Sequence, residues 1–193
     1  MAIAAGGGIP SLVQLLRSGS SEAKSNAAAA LWNLAVNAEN QLKMGQSGAV
    51  PLLADMLTAT AGAQDGKAHA AGALGNLAAS ADNMPALARA NVVAPLARLL
   101  TSELSEARAN AAGALGNLAV SPAMSEALSQ ANVIPALVTM YLAQDSTASA
   151  REKAVGTLRR LASMSERNRR AILAQGGSRP DVQRLLKQLL DGP

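Results

Sequence analysis

The chain contains no cysteine and no phenylalanine, and Trp32, Tyr141 and His69 each stand alone as their residue type. Without cysteine there is no disulfide and no thiolate metal or redox site. With few aromatics, the apolar half of the composition is Ala, Leu, Val, Ile and Met. Ala and Leu rank among the strongest helix formers. β-branched residues are few, so strands are not expected. No apolar run approaches the length needed to span a bilayer. Met1–Pro10 lacks the basic start and apolar core of a secretory signal. These absences predict an all-α chain that is intracellular, cytoplasmic or nuclear.

Catalytic signatures are missing as well. His69 has no cysteine partner, and no serine motif resembling a nucleophile elbow is present. Gly6-Gly7-Gly8 is not followed by a Lys-Ser/Thr pair, so it fails as a phosphate loop. Carboxylates and histidine do not recur at metal-ligand spacing. Neither an enzyme nor a cofactor is expected. The net charge of +4 is unevenly spread. Residues 1–150 carry 7 basic and 9 acidic side chains, whereas residues 151–193 carry 10 basic and 4 acidic.

What is present is repetition. One anchor is a Gly or Asn followed by apolar residues and a proline: Gly7-Gly8-Ile9-Pro10, Gly48-Ala49-Val50-Pro51, Asn91-Val92-Val93-Ala94-Pro95 and Asn132-Val133-Ile134-Pro135. Its copies are spaced 41, 43 and 41 residues apart. A second anchor reads Leu31-Trp32-Asn33-Leu34-Ala35, Leu74-Gly75-Asn76-Leu77-Ala78, Leu115-Gly116-Asn117-Leu118-Ala119 and Leu158-Arg159-Arg160-Leu161-Ala162. Its steps of 43, 41 and 43 keep pace with the first. A period in this range marks a stacked helical array, in which no unit buries its apolar face alone.

Each unit reads as three helices. Gly or Asn closes a short first helix in the left-handed conformation. Proline then opens a second helix, where its missing N–H costs nothing. Leucines at helical spacing follow, and a polar break (Ser18–Ser21, Thr58–Gln64, Thr101–Ser105, Gln144–Ser149) leads into a third helix. The third helices start near Glu22, Asp65, Glu106 and Ser149 and run to the Asn-Leu-Ala anchor. Acidic residues in a first turn complement the helix dipole.

The Gly-Ala-Val-Pro-x-Leu junction and the Ala-Leu-x-Asn-Leu-Ala third helix resemble armadillo repeats, as in importin-α, β-catenin and the vacuolar and plant armadillo proteins. The resemblance implies one domain, a right-handed α-solenoid of about four repeats plus a partial fifth. The repeats are expected near 1–36, 37–79, 80–120 and 121–163, with the partial unit at 164–193. Met1–Gly8 reads as only the tail of a first helix, which predicts a fragment of a longer array with exposed end repeats open to self-association.

Stacking turns equivalent positions into columns. With the anchor Asn as reference (Asn33, Asn76, Asn117, then Arg160), four residues earlier lie Ala29, Gly72, Gly113 and Gly156. Seven earlier lie Asn26, His69, Asn110 and Lys153. Offsets of four and seven share one helix face. The resemblance implies that this face lines a concave groove in which the Asn side chains hold the backbone of an extended peptide. A carboxamide offers both donors and an acceptor for that purpose. The same residues read equally as closing the third helix or hydrogen-bonding a neighbouring repeat. The glycines read either as tight packing between third helices or as an open groove floor. Trp32, off this stripe, is expected between helices.

In repeat four, Arg160 replaces the Asn and Lys153 shares its face; the cluster reads either as a solvated helical face or as a site for carboxylates of a partly acidic ligand. Because the resemblance implies an antiparallel ligand, those carboxylates fall in the ligand's N-terminal part. Lys24, Lys67, Arg108 and Arg151, nine before the anchor, fall on the opposite side of the helix and read as solvent-facing or inter-repeat filler. The predicted function is therefore a protein-interaction scaffold. The alternative is nucleic-acid or anionic-lipid binding through the Arg-rich last quarter, against which stands the lack of aromatic stacking platforms.

Overall fold

A computed structural model describes residues 7–59 and 64–191. The first-helix remnant expected in Met1–Gly8 and the core of the polar break at Thr58–Gln64 lie outside those residues. Thirteen α-helices and two short 3₁₀ turns make up the regular structure described, with no strand among the described residues. In chain order they are α1 (Gly8–Ser18), α2 (Ser21–Leu34), α3 (Ala38–Gln46), α4 (Ala49–Thr58), α5 (Gln64–Leu77), α6 (Met84–Arg89) and α7 (Val93–Leu99). They continue as α8 (Ser105–Leu118), α9 (Ser125–Gln130), α10 (Val133–Leu142), α11 (Ala148–Met164), α12 (Glu166–Ala174) and α13 (Pro180–Asp191). First helices are α3, α6, α9 and α12, and second helices α1, α4, α7, α10 and α13. The third helices α2, α5, α8 and α11 stack in order as the spine of the solenoid. Among the described residues no helix is long and apolar enough to cross a membrane.

The junction chemistry is visible in the backbone. Gly7, Gly48 and Gly177 have φ of 76°, 76° and 52°, and Asn91 and Asn132 have φ of 49° and 52°. Gly48, Asn91, Asn132 and Gly177 sit where one helix must stop and the next turn away, and Gly7 precedes α1, all in the left-handed position that costs glycine nothing and asparagine little. The prolines differ in detail from the expected opening position. Pro10, Pro51, Pro95 and Pro135 occupy the third residue of their helices, and Pro180 alone opens one. The first four N–H groups of a helix lack internal partners, so a proline at the third position still sacrifices no hydrogen bond. At Gly48 an added Cβ would meet nothing within 4 Å, so only the φ matters. Gly48→Asn is therefore expected to be nearly neutral and Gly48→Ala to cost about 1 kcal/mol, read from urea midpoints.

The core follows the anchors. Leu31, Leu74, Leu115 and Leu158 are each 1% exposed or less. Burying such a side chain contributes roughly 1.5–3 kcal/mol. Alanines at 28, 71, 112 and 154 are fully buried beside them. Their small volume brings the third helices close enough that a Cβ on Gly75 would lie 3.2 Å from the Ala114 Cα.

A second device ties repeats together and was not anticipated. Near the start of three first helices, an Asn side chain reaches back to the end of the preceding third helix. Asn40 Nδ2 donates to Leu34 O at 2.9 Å, Asn83 Nδ2 to Leu77 O at 3.1 Å and Asn168 Nδ2 to Leu161 O at 2.8 Å. Asn83, 2% exposed, also donates to Gln41 O of the preceding first helix at 3.1 Å. In repeat four the place is taken by buried Met124.

Candidate functional site

The groove lies along the third helices. A cavity of about 340 Å³ is lined by Trp32 of α2, Gly72 and Asn76 of α5, Asn110, Gly113 and Asn117 of α8, and Lys153, Gly156 and Arg160 of α11. Five of the eight residues expected to touch a ligand thus converge in one place: Asn76, Asn110, Asn117, Lys153 and Arg160. Asn33, Asn26 and His69 do not line it. Asn33 and Asn26 are exposed on α2 without a side-chain hydrogen bond among the described residues. His69 sits part-buried at its rim, with Ser25 Oγ 3.4 Å from Nδ1 and its ring 6.1 Å from that of Trp32.

The asparagines have work of their own. Asn76 Nδ2 donates to Trp32 O at 3.2 Å, Asn110 Nδ2 to Ala68 O at 3.0 Å and Asn117 Nδ2 to Gly75 O at 2.9 Å. Each bond runs from one third helix to a carbonyl of the one before. Gly75 O lies in a last turn, where helix carbonyls lack internal partners, and Trp32 O also accepts from Ala35 N at 3.2 Å. The column therefore laces adjacent repeats, as one of the two open readings held. A primary amide has a second N–H and an acceptor oxygen. Those atoms of Asn76 and Asn110 make no other hydrogen bond among the described residues. Asn117 has less to spare, since its Oδ1 accepts from an Arg160 guanidinium N–H at 2.9 Å.

Both readings of the glycines apply, at different places. A Cβ on Gly72 would lie 2.5 Å from the Trp32 ring, so this glycine admits the indole into the groove. Trp32 packs between α2 and α5, as expected, and is in addition a wall of the cavity, because the indole leans forward from α2 onto the bare stretch of α5. A Cβ on Gly116 would lie 2.5 Å from Thr157 Oγ1. That buried hydroxyl, overlooked in the sequence, donates to Ala112 O at 2.7 Å and adds another inter-repeat tie. By contrast a Cβ on Gly156 would meet nothing, and one on Gly113 only the Lys153 stem at 3.5 Å. Those two leave the floor open beside the cations.

The sequence profile of the Armadillo/beta-catenin-like repeat matches residues 2–36, 37–79 and 80–120. The chain belongs to this family. Among curated proteins none matches it. Its structure is similar to that of an engineered protein, 28% identical, covering 94% of this chain and 77% of that one at a TM-score of 0.80. A computationally designed armadillo repeat protein for modular peptide recognition is 25% identical over 95% of this chain and 81% of its own, at a TM-score of 0.79. A designed armadillo repeat protein in complex with the peptide (KR)4 is 23% identical, covering 98% of this chain and 83% of that one at a TM-score of 0.80. At that identity the likeness concerns the armadillo fold alone.

In the Arg-rich quarter of this armadillo chain several arginines make contacts of their own, although Arg167, Arg170, Arg179, Arg184 and Lys187 stay exposed. Arg159 Nε donates to Leu189 O at 2.8 Å, joining α11 to α13. Arg169 pairs with Asp191, Arg170 with Glu166 at 3.3 Å and Arg179 with Asp181 at 3.1 Å. Arg159 thus fastens α13 to α11, while the three ion pairs lie within the α12–α13 unit. Arg160 and Lys153 are exposed over the open floor of the groove.

Proposed function

We propose that this armadillo array is a protein-interaction scaffold whose concave groove binds an extended, partly acidic peptide segment. The observation that carries the reading is the single cavity that gathers Asn76, Asn110, Asn117, Lys153 and Arg160 over glycine floor. Spare carboxamide groups of Asn76 and Asn110 suit the N–H and C=O of a strand-like backbone. Arginine binds carboxylates in a planar fork, and a neighbouring lysine adds charge. Asn33, Asn26 and His69 extend the same face toward repeat one and flank the ligand beyond the cavity. In this reading the carboxylates belong to the ligand's N-terminal part, because the cations lie at the C-terminal end of the groove and the armadillo resemblance implies a ligand antiparallel to the repeats. The similarity to a design made for modular peptide recognition supports a peptide as the class of ligand.

The test is a screen of the purified chain against an extended-peptide library, repeated with Asn76→Ala plus Asn117→Ala. Selected acidic peptides are expected to lose at least tenfold in affinity to the double variant. Each lost inter-repeat bond also costs about 1 kcal/mol of stability, so circular dichroism should show an unchanged helical spectrum and a lower melting temperature. Unchanged peptide affinity in a folded double variant would remove the ladder from the mechanism.

A further inference from the structure

The basic column nine residues before the anchor behaves in two ways. Arg108 donates to Ser102 O at 2.8 Å and Glu103 O at 3.2 Å, and Arg151 donates to Ala143 O and Gln144 O at 3.0 Å each. Both guanidiniums therefore fold back onto the connection between their own second and third helices. A guanidinium carries several N–H groups in a fixed fork and can span two carbonyls, which one ammonium does less well. Lys24 and Lys67 make no such bond, and no ion pair, among the described residues. They stand at the rim of cavities between repeats.

One cavity of about 240 Å³ is lined by Arg17, Lys24 and Lys67 with Asp55 as its sole carboxylate, over Leu52 and Met56. Its floor includes Leu16, which is 2% exposed and part of the core. Lys67 is shared with a second cavity of about 440 Å³, one repeat further on, which adds Arg98 beside Pro95 and Leu99 and has no carboxylate. Glu22 and Asp65 stand on the first turns of the same helices but line neither cavity. Four cations thus face one carboxylate along an edge that crosses repeats one to three. Nine residues of helix amount to a half-turn offset from the anchor asparagines, so this edge is separate from the groove.

We propose that this edge is a second binding surface, for an acidic protein segment with an apolar side chain between its carboxylates. The apolar side chain enters the Leu16, Leu52 and Met56 floor, and the carboxylates flanking it meet Arg17, Lys24 and Lys67. A further carboxylate reaches Arg98. Charge complementarity selects an acidic partner. The apolar floor selects a protein segment over a phosphate backbone, which has no apolar group to place there, and no aromatic lines either cavity to stack a base.

The probe is a fluorescein-labelled peptide Gly-Glu-Glu-Leu-Glu-Glu-Gly, titrated into the full chain and mapped by amide NMR shifts. Shifts are expected at Gly19, Lys24, Gly66 and Lys67. Lys24→Glu with Lys67→Glu should weaken binding at least tenfold, and alanine in place of the probe's leucine severalfold. Arg160→Glu should leave the shifts at Gly19, Lys24, Gly66 and Lys67 unchanged while removing any at the groove, which separates the two surfaces. Three outcomes would overturn the proposal: no binding, shifts confined to Lys153 and Arg160, or equal binding of the alanine probe and of an oligo-dT strand. The last would mean that charge alone is read.

Discussion

Asn83→Ala is expected to destabilise the array more than any other single polar truncation described here, by about 2–3 kcal/mol. Its Nδ2 holds Leu77 O and Gln41 O, both at 3.1 Å, from a position 2% exposed. Each hydrogen bond contributes about 1 kcal/mol net, and the vacated space adds a cavity cost. The residue stands at the joint of repeats two and three, so its loss weakens the coupling between units as well as one unit. Nearest-neighbour coupling is what holds a solenoid together. Gly45 is the other half of the joint: a Cβ there would lie 2.0 Å from Asn83 Oδ1. Because two hydrogen bonds fix the carboxamide, it cannot simply swing aside, and Gly45→Ala should be destabilising too. With Asn83 already shortened, the methyl at position 45 has room. The double variant should therefore lose clearly less than the sum of the two singles, the sign of direct coupling. Urea unfolding of all four proteins checks this; strict additivity would mean that the glycine and the asparagine act independently.

The sequence made the array legible because two unlike anchors recur in register, and both have local physical causes. The left-handed residue before each second helix accepts only Gly or Asn readily, and the buried leucine column tolerates little else. Gly48, Asn91, Leu74 and Leu115 could therefore be placed without coordinates. The Asn40, Asn83 and Asn168 ties were equally present in the sequence, the first two seven residues after anchors Asn33 and Asn76 and the third eight after Arg160. They were missed because Met124 breaks the column and the register slips by one. The groove was only partly legible. Helical periodicity assigns residues to a face of one helix but not to what the next helix brings against it. Whether Asn117 serves a ligand or a neighbour depends on the distance between α5 and α8, which is set where Gly75 faces Ala114. Trp32 enters the groove because Gly72, on a different repeat, leaves room for its ring. The basic column shows the same limit: Arg108 and Arg151 share a register with Lys24 and Lys67, and what the two guanidiniums do is to tie their own loops.

Arg160→Glu is expected to remove binding of acidic peptides to the groove, with a loss of tenfold to a hundredfold already at Arg160→Ala. That range corresponds to about 1.4–2.7 kcal/mol, in keeping with the 1.5–3 kcal/mol typical of a hydrogen bond to a charged group. The folded chain should hardly notice either change. Arg160 is exposed, and its one side-chain partner among the described residues is the Asn117 carboxamide at 2.9 Å, a surface contact of small net worth. That contact gives the substitution a second, opposite consequence. In the free protein Arg160 occupies Asn117 Oδ1; a ligand carboxylate that draws the guanidinium away also frees the oxygen to accept a ligand N–H. Arg160→Ala frees it permanently. A neutral peptide of the same length should therefore bind Arg160→Ala at least as well as the native chain, while an acidic one binds it worse. Lys153→Ala removes charge without touching Asn117, so it should weaken acidic peptides by a smaller factor and leave neutral ones unchanged. Fluorescence anisotropy with paired acidic and neutral peptides, at low and moderate salt, separates these cases. Equal losses for both peptides in Arg160→Ala would mean that the arginine shapes the groove and does not read charge.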